Sequence, residues 1–169
     1  MIRILVLAYL TVFSYMASGV ELVKSGERDN ESKVGVGVAF TGLTGLSLYA
    51  DTSYDNFAQS TVAFGRYGTY AITGDYAFAY RAAISSIPSI TPFWALGIVL
   101  LHDQNNYWPG YASVDTASST YVGARLPLGL NFVIPKTPIQ LAAELAPSLL
   151  LTPSTYGYVQ GSASLRVLF

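Results

Sequence analysis

The stretch YVGARLPLGLNFVIPKTPIQLAAELAPSLL, Tyr121–Leu150, decides the fold. Apolar side chains occupy every second position of its first arm: Val122, Ala124, Leu126, Leu128, Leu130 and Phe132. The second arm repeats the pattern with Ile139, Leu141, Ala143, Leu145, Pro147 and Leu149. Between the arms, Pro135–Pro138 predicts a tight turn, because proline cannot serve as a donor within a strand ladder. Two arms of period two around a short turn predict a β-hairpin.

The two charges of these arms, Arg125 and Glu144, lie on the face opposite the apolar one. In a soluble sandwich the apolar face would form the interior. In a membrane barrel the apolar face contacts lipid, and the small, polar and charged face lines the lumen. The hairpin alone is compatible with both arrangements.

The composition favours the membrane barrel. Only 11% of the 169 residues are charged, against about 25% in a typical soluble domain. Seven of the nineteen charged residues fall in Glu21–Lys33, so residues 34–169 contain eleven. Mean hydropathy is +0.40, and no apolar run after residue 34 reaches the roughly 20 residues of a spanning helix. A net charge of −1 gives no electrostatic reason to expect nucleic-acid binding, and the absence of cysteine excludes disulfides.

The N-terminal segment has a different character. Arg3, the apolar run Ile4–Phe13 and the small residues Ala17–Gly19 are typical of a cleaved secretory signal, so residues 1–19 are predicted to be removed. Residues 20–33 are polar and charge-dense without any period, which predicts a flexible N-terminal tail.

Residues 34–169 are then predicted to form one barrel domain of eight strands. Besides the two arms of the hairpin, the alternation predicts strands at 34–40, 45–52, 57–65, 69–80, 91–101 and 156–169. The longest irregular segment, His102–Ser119, lies on the predicted extracellular side, where the loops of such barrels are longer. Aromatic residues near strand ends predict interfacial girdles: Tyr70, Tyr80, Trp94, Tyr121, Phe132 and Tyr156.

These features resemble those of small Gram-negative outer-membrane barrels. Phe169, preceded at alternate positions by Leu165 and Val167, resembles the C-terminal signal that barrel-insertion machinery reads. More narrowly, the chain resembles an uncharacterised family of small OmpA-like eight-stranded barrels first noted in spirochaete genomes. The matching residues are Gly74–Tyr76, Gly123–Leu130, Glu144–Pro147, Thr152–Thr155, Arg166 and Phe169. The resemblance implies an eight-stranded antiparallel up-and-down transmembrane β-barrel in the outer membrane, without an agreed biochemical activity.

Four charged residues are the leading site candidates. Asp75, Arg125, Glu144 and Arg166 all fall on the small-residue face, which is the predicted lumen. Because eight strands enclose only enough space for side chains, two acids and two bases there should pair in a charge network that closes the barrel. Arg125, Glu144 and Arg166 lie on adjacent strands, whereas Asp75 is expected to reach them across the lumen.

Catalytic, metal and cofactor sites have weaker support. The single histidine, His102, precedes Asp103 near three serines, Ser113, Ser118 and Ser119, which is the basis for an alternative as a lipid-modifying enzyme. Histidine at a strand end is more often a polar rim residue, so no enzyme is predicted. One histidine and scattered carboxylates also predict no metal site and no cofactor.

Three aromatic residues inside the long segment, Tyr107, Trp108 and Tyr111, are candidates for a surface recognition patch. The predicted partners are outer-membrane lipid and lipopolysaccharide, the barrel-assembly machinery and an extracellular partner of loop 102–119. The barrel is expected to be a monomer.

The predicted function is a structural or adhesin-like role in the outer membrane, with the lumen closed. A narrow channel for ions or small solutes is one alternative. A soluble lipocalin-like barrel is another, although the charge-bearing face has few large apolar residues to form its interior.

Overall fold

The computed structural model describes residues 33–65, 68–81, 89–103, 119–153 and 155–169. The predicted signal, residues 20–32 of the predicted tail and most of the connection between the fourth and fifth strands lie outside the described residues. The strands are β1 (Val34–Phe40), β2 (Thr44–Asp51), β3 (Asn56–Phe64), β4 (Tyr70–Ala79), β5 (Ile90–Asp103), β6 (Ser119–Arg125), β7 (Leu128–Val133), β8 (Ile139–Thr152) and β9 (Tyr156–Leu168).

All strand pairings are antiparallel, and they close into a ring. Each strand from β1 to β5 pairs with the next, β8 pairs with β9, and β9 returns to β1. β6 and β7 share one position in the ring, because both pair with β5 on one side and with β8 on the other. The ring therefore has eight strands, and the predicted fold class is confirmed.

The sixth strand of the ring is interrupted, although it was predicted to be continuous. The break falls at Leu126 and Pro127, since proline has no N–H to donate to a ladder. Two backbone bonds still cross the break: Leu126 N donates to Pro147 O at 2.9 Å, and Ala95 N donates to Pro127 O at 2.8 Å. The alternation of exposed and buried side chains continues unchanged from β6 into β7.

Two strands are longer than predicted. β5 continues through His102 and Asp103, which pair with Thr120 and Ser119 at the start of β6. β8 continues through Leu151 and Thr152. The predicted turn at residues 135–138 is present: Lys136 has a φ of 64°, and Ile134 N donates to Ile139 O at 2.9 Å.

The two faces of the ring differ as the alternation predicts. Exposed large apolar residues occupy the outward positions of β1, β5, β7, β8 and β9, among them Val36, Ile98, Leu128, Leu145 and Val159. The inward positions are buried and hold small, polar and charged side chains, including Asp75, Arg125 and Arg166. In the part of the chain that the structure describes, no helix has the length and apolar character needed to cross a membrane.

The barrel has a termini end and a loop end, which carry different segments. The termini end holds Lys33, the turns at residues 52–55 and 134–138, and Phe169. The loop end holds the turn at residues 41–43, the end of β5 and the start of β6.

Candidate functional site in the lumen

The centre of the lumen is organised by a row of three residues that crosses three strands. Asp75 of β4 lies opposite Gly97 of β5, and Gly97 lies opposite Arg125 of β6. Because Gly97 has no side chain, Asp75 and Arg125 meet above it, and Arg125 Nε lies 3.1 Å from Asp75 Oδ1. This contact is an ion pair whose angles are not those of a hydrogen bond. A Cβ at Gly97 would lie 2.0 Å from the same Asp75 oxygen.

Arg125 also pairs with the second acid of the lumen. Its Nη2 donates to Glu144 Oε1, so one guanidinium lies between two carboxylates. The side chains of Arg125 and Asp75 are each 2% exposed and that of Glu144 is 11% exposed. A buried charge must be paired or its desolvation is very costly, so this triad depends on all three members.

Gln59 of β3 connects the triad to the fourth charge. Its Nε2 donates to Glu144 Oε2 at 2.7 Å and to Asp75 Oδ2 at 3.3 Å. Its Oε1 accepts from Arg166 Nη2 at 2.9 Å. The amide therefore satisfies carboxylates on one side and a guanidinium on the other.

Arg166 of β9 is held by neutral groups. Its Nε donates to Ser47 Oγ at 2.8 Å and its Nη1 donates to Gln140 Oε1 at 3.2 Å. The guanidinium lies 5.5 Å from the centre of the Tyr49 ring, within the range of a cation–π contact. Among the described residues, Arg166 has no carboxylate within ion-pairing distance.

The four predicted lumen residues are thus brought together, but not in the expected way. Asp75 contacts Arg125 along the wall over Gly97, rather than across the lumen. Arg166 joins through Gln59, rather than by an ion pair with one of the two acids. Gln59 and Gln140 were missed because periodicity gives the face on which a side chain lies but not its partner. Their only signal in the sequence was a position on the inward face of a strand.

Apolar clusters lie on both sides of this polar centre. Toward the termini end, buried residues pack together: Tyr49, Phe57, Ala77, Ala79, Phe93, Ala95 and Leu168. The Phe57 ring is 4.9 Å from that of Tyr49 and 5.1 Å from that of Phe93. Toward the loop end, Leu43, Ala63, Ala71 and Leu101 form a second cluster, against which Tyr121 packs. Tyr121 thus lies inside the barrel, and its assignment to an interfacial girdle was wrong.

A second ion pair, not predicted from the sequence, lies at the termini end. Arg81 Nη2 is 2.5 Å from Asp51 Oδ1, and that oxygen also accepts from the Tyr49 hydroxyl at 2.6 Å. The Arg81 guanidinium is 5.8 Å from the centre of the Tyr54 ring. Burial lowers the pKa of Arg81, but the neighbouring Asp51 and Tyr49 together outweigh burial and raise that pKa, so Arg81 keeps its charge.

His102, the basis of the enzymatic alternative, lies on the outer face at the loop end. Its ring stacks on Tyr70 with centroids 4.9 Å apart, and its Nδ1 is 2.8 Å from Thr120 Oγ1. The next residue, Asp103, is buried on the inward side and accepts from Thr69 Oγ1 at 3.3 Å. Neighbouring residues of a strand face opposite ways, so His102 and Asp103 do not form a catalytic pair.

Tyr107, Trp108 and Tyr111 lie outside the described residues, as do Ser113 and Ser118. Phe169 is exposed, and its backbone exchanges hydrogen bonds with Val34 of β1 at 2.8 and 3.3 Å. Among the residues that the structure describes, no three His, Cys, Asp or Glu side chains are grouped to hold a metal ion.

Comparisons with known proteins bear on the fold. No protein-family model and no curated protein matches this sequence. Among solved structures, the chain is similar to the N-terminal β-barrel domain of Pseudomonas aeruginosa OprF, with a TM-score of 0.59 and 12% identity over 82% of this chain and 96% of that one. It is also similar to Neisserial surface protein A, with a TM-score of 0.44 and 14% identity over 82% of this chain and 94% of that one. At such identities, the OprF likeness supports the barrel fold alone.

Proposed function

We propose that this protein is an integral barrel of a Gram-negative outer membrane, with a closed lumen and a structural or surface-interaction role. The observation that carries the proposal is the distribution of charge between the two faces of the strands. Outward side chains such as Ile98, Leu145 and Val159 are 61–68% exposed, whereas Asp75, Arg125 and Arg166 are turned inward and buried. An apolar surface of this kind suits lipid and would be unstable in water.

A closed lumen is supported by the side chains that occupy it. The ion triad, Gln59 and Arg166 span its centre, and an apolar cluster lies on each side of them. Eight strands leave an interior that side chains can fill. The barrel then acts through its surfaces and not through transport.

The surface-interaction part of the proposal rests on the segment between β5 and β6. It includes an extracellular partner of residues 102–119, with Tyr107, Trp108 and Tyr111 as recognition residues. The proposal also includes recognition by barrel-assembly machinery through Phe169, contact with lipopolysaccharide, and membership of the small OmpA-like family. Enzymatic activity forms no part of the proposal.

Cell fractionation and gel mobility test the location. The protein is expected in the outer-membrane fraction, resistant to extraction in aqueous buffer, and to migrate differently on gels before and after heating. Release of folded protein by an aqueous periplasmic extract would overturn the membrane proposal and favour the soluble lipocalin-like alternative.

A narrow channel is the second candidate, favoured by the polar, hydrogen-bonded centre of the lumen. Planar-bilayer recording distinguishes the two. Wild-type protein is expected to conduct little, and a double variant with Arg125→Ala and Glu144→Ala is expected to conduct more if the network is the plug. High steady conductance of the wild type would replace the closed barrel with a channel.

A further inference from the structure

A groove opens on the outer face of the barrel at the termini end. It measures about 580 Å³, and its lining includes Asp55, Asn56, Phe78, Tyr80, Arg81 and Trp94. The volume lies within the roughly 300–1,000 Å³ of sites that bind small molecules. Its lining combines aromatic side chains with one basic and one acidic group, which is the composition of a site for an amphipathic ligand.

Three neighbouring strands build the floor of the groove in one row. Asn56 of β3 lies opposite Phe78 of β4, and Phe78 lies opposite Trp94 of β5. The Phe78 and Trp94 rings stack with centroids 4.6 Å apart and planes at 18°. Trp94 Nε1 donates to the Tyr80 hydroxyl at 3.1 Å, which holds the indole in place. The floor is therefore preformed.

The two charged residues of the groove, Arg81 and Asp55, differ in whether they are already paired. The Arg81 guanidinium is fixed by Asp51 on its lumen side, and the Arg81 side chain is still 31% exposed. The Asp55 carboxylate is on an exposed residue, and no described residue pairs with it. The groove thus offers a positioned donor for an anion and a free carboxylate for a cation.

We propose that this groove binds the headgroup of an amine-bearing glycerophospholipid of the ethanolamine type. The phosphate contacts Arg81, since guanidinium groups form strong charge-assisted bonds with phosphate oxygens. The ammonium group contacts Asp55 and the faces of Tyr80 and Trp94. The acyl chains continue along the exposed apolar residues of the outer face, and the aromatic floor lies at the headgroup level where such residues are enriched.

The pair of opposite charges selects among headgroups. An ethanolamine headgroup carries both a phosphate and an ammonium with N–H donors. A glycerol headgroup has no cation for Asp55, and a choline headgroup has no N–H to donate. The inference rests on the proposed function, because it requires the termini end to face a leaflet of glycerophospholipids.

Quenching of Trp94 fluorescence tests the site. Trp108→Phe leaves Trp94 as the only tryptophan, since the chain has two. The protein is inserted into phosphatidylcholine vesicles that contain a fraction of brominated ethanolamine, choline or glycerol phospholipid. The association constant from quenching is expected to be about fivefold higher for the ethanolamine lipid than for the other two, the effect of one hydrogen bond of ordinary strength at a solvent-exposed site.

Two substitutions refine the assignment. Asp55→Asn is expected to bring the ratio of the association constants for the ethanolamine and choline lipids close to one. The control Lys136→Asn removes a charge at the same end of the barrel but outside the groove, and it should leave this ratio near five. Equal quenching by the three lipids in the inserted protein would overturn the headgroup site while leaving the membrane barrel intact. Failure to insert, judged by heat-dependent gel mobility, would instead overturn the proposed function and this inference with it.

Discussion

The outward and inward faces of β8 share one backbone, yet they are stabilised in different ways. Outward positions such as Leu141, Leu145 and Leu149 are exposed and apolar, and any side chain of similar hydrophobicity would serve there. The inward residue Glu144 is bound by two partners on other strands, Arg125 and Gln59. The outer face therefore depends on the hydrophobic character of its side chains, whereas the lumen depends on specific pairs of residues. Substitutions on the outer face should therefore be tolerated if the new side chain is apolar. Substitutions in the lumen should be tolerated only if the new side chain keeps the hydrogen bonds and ion pairs of the original one.

The largest effect is expected from removing the cation that two acids share. Arg125→Met leaves Asp75 and Glu144 buried without a base, which costs about 3–5 kcal/mol of the free energy of unfolding. Arg166→Met breaks bonds to neutral groups only, and about 1–3 kcal/mol is expected. Urea unfolding of each variant in lipid vesicles measures both. Equal losses would show that the lumen responds to net charge and not to particular pairs.

The destabilisation caused by a charge on the outer face should depend on how deep that charge lies in the bilayer. Leu145→Arg, in the middle of β8, is expected to destabilise the inserted barrel by about 2–4 kcal/mol, because the guanidinium would lie near the bilayer midplane. Leu151→Arg changes the same residue type near the end of the strand, at a similar exposure of 57% against 61%. About 0–1 kcal/mol is expected there. If folding into vesicles is equally impaired by both, lipid does not surround this face.

Two glycines of neighbouring strands, one inward and one outward, allow the two faces to be compared by adding a single methyl group. In Gly97→Ala the added Cβ would meet Asp75 Oδ1 at 2.0 Å and Gly74 O at 2.6 Å. Displacement of the Asp75–Arg125 pair is expected to cost about 1–3 kcal/mol. Gly74→Ala adds the same atom outside, where nothing lies within 4 Å, and should change stability by less than about 0.5 kcal/mol. A comparable loss in both, measured by urea unfolding, would contradict the contact over Gly97.

The smallest effects are expected from deleting one hydroxyl on each face. Ser47→Ala removes a buried acceptor of Arg166 and should lower the free energy of unfolding by about 1–2 kcal/mol. Thr120→Val removes the partner of His102 on the outer face at the loop end, where about 0.5 kcal/mol or less is expected. Chemical unfolding of the two variants under identical conditions gives the comparison, and a larger loss for Thr120→Val would reverse it.

The strands and their faces could be predicted from the sequence because alternation is a local property. β1 has the predicted bounds, Val34–Phe40, and the side chains of Asp75, Arg125 and Arg166 lie on the predicted face. The contacts could not be predicted, since they depend on how far each strand is shifted against the next around the ring. The row Asp75–Gly97–Arg125 exists only in the observed register.

Other features could not be predicted because the alternation of side chains does not report them. The break at Pro127 leaves the alternation of side chains intact, so the hydrophobic pattern gave no sign of it. The ring of Phe57 faces inward near the start of β3, and its sequence position gave no sign of this, because aromatic residues near strand ends are also typical of interfacial girdles. The Asp51–Arg81 pair joins two strand ends that are adjacent only after the sheet has formed.

The pairing of β1 with β9 has a consequence for the time course of folding. This pair joins residues from opposite ends of the described chain, such as Gly37 and Arg166, and contacts so distant in sequence form slowly. Until they meet, both strands present unsatisfied N–H and C=O groups beside apolar side chains, and an open edge of this kind can pair with any other strand. The interval before closure is therefore when the chain is most exposed to mispairing, and any factor that shields these two edges would act then.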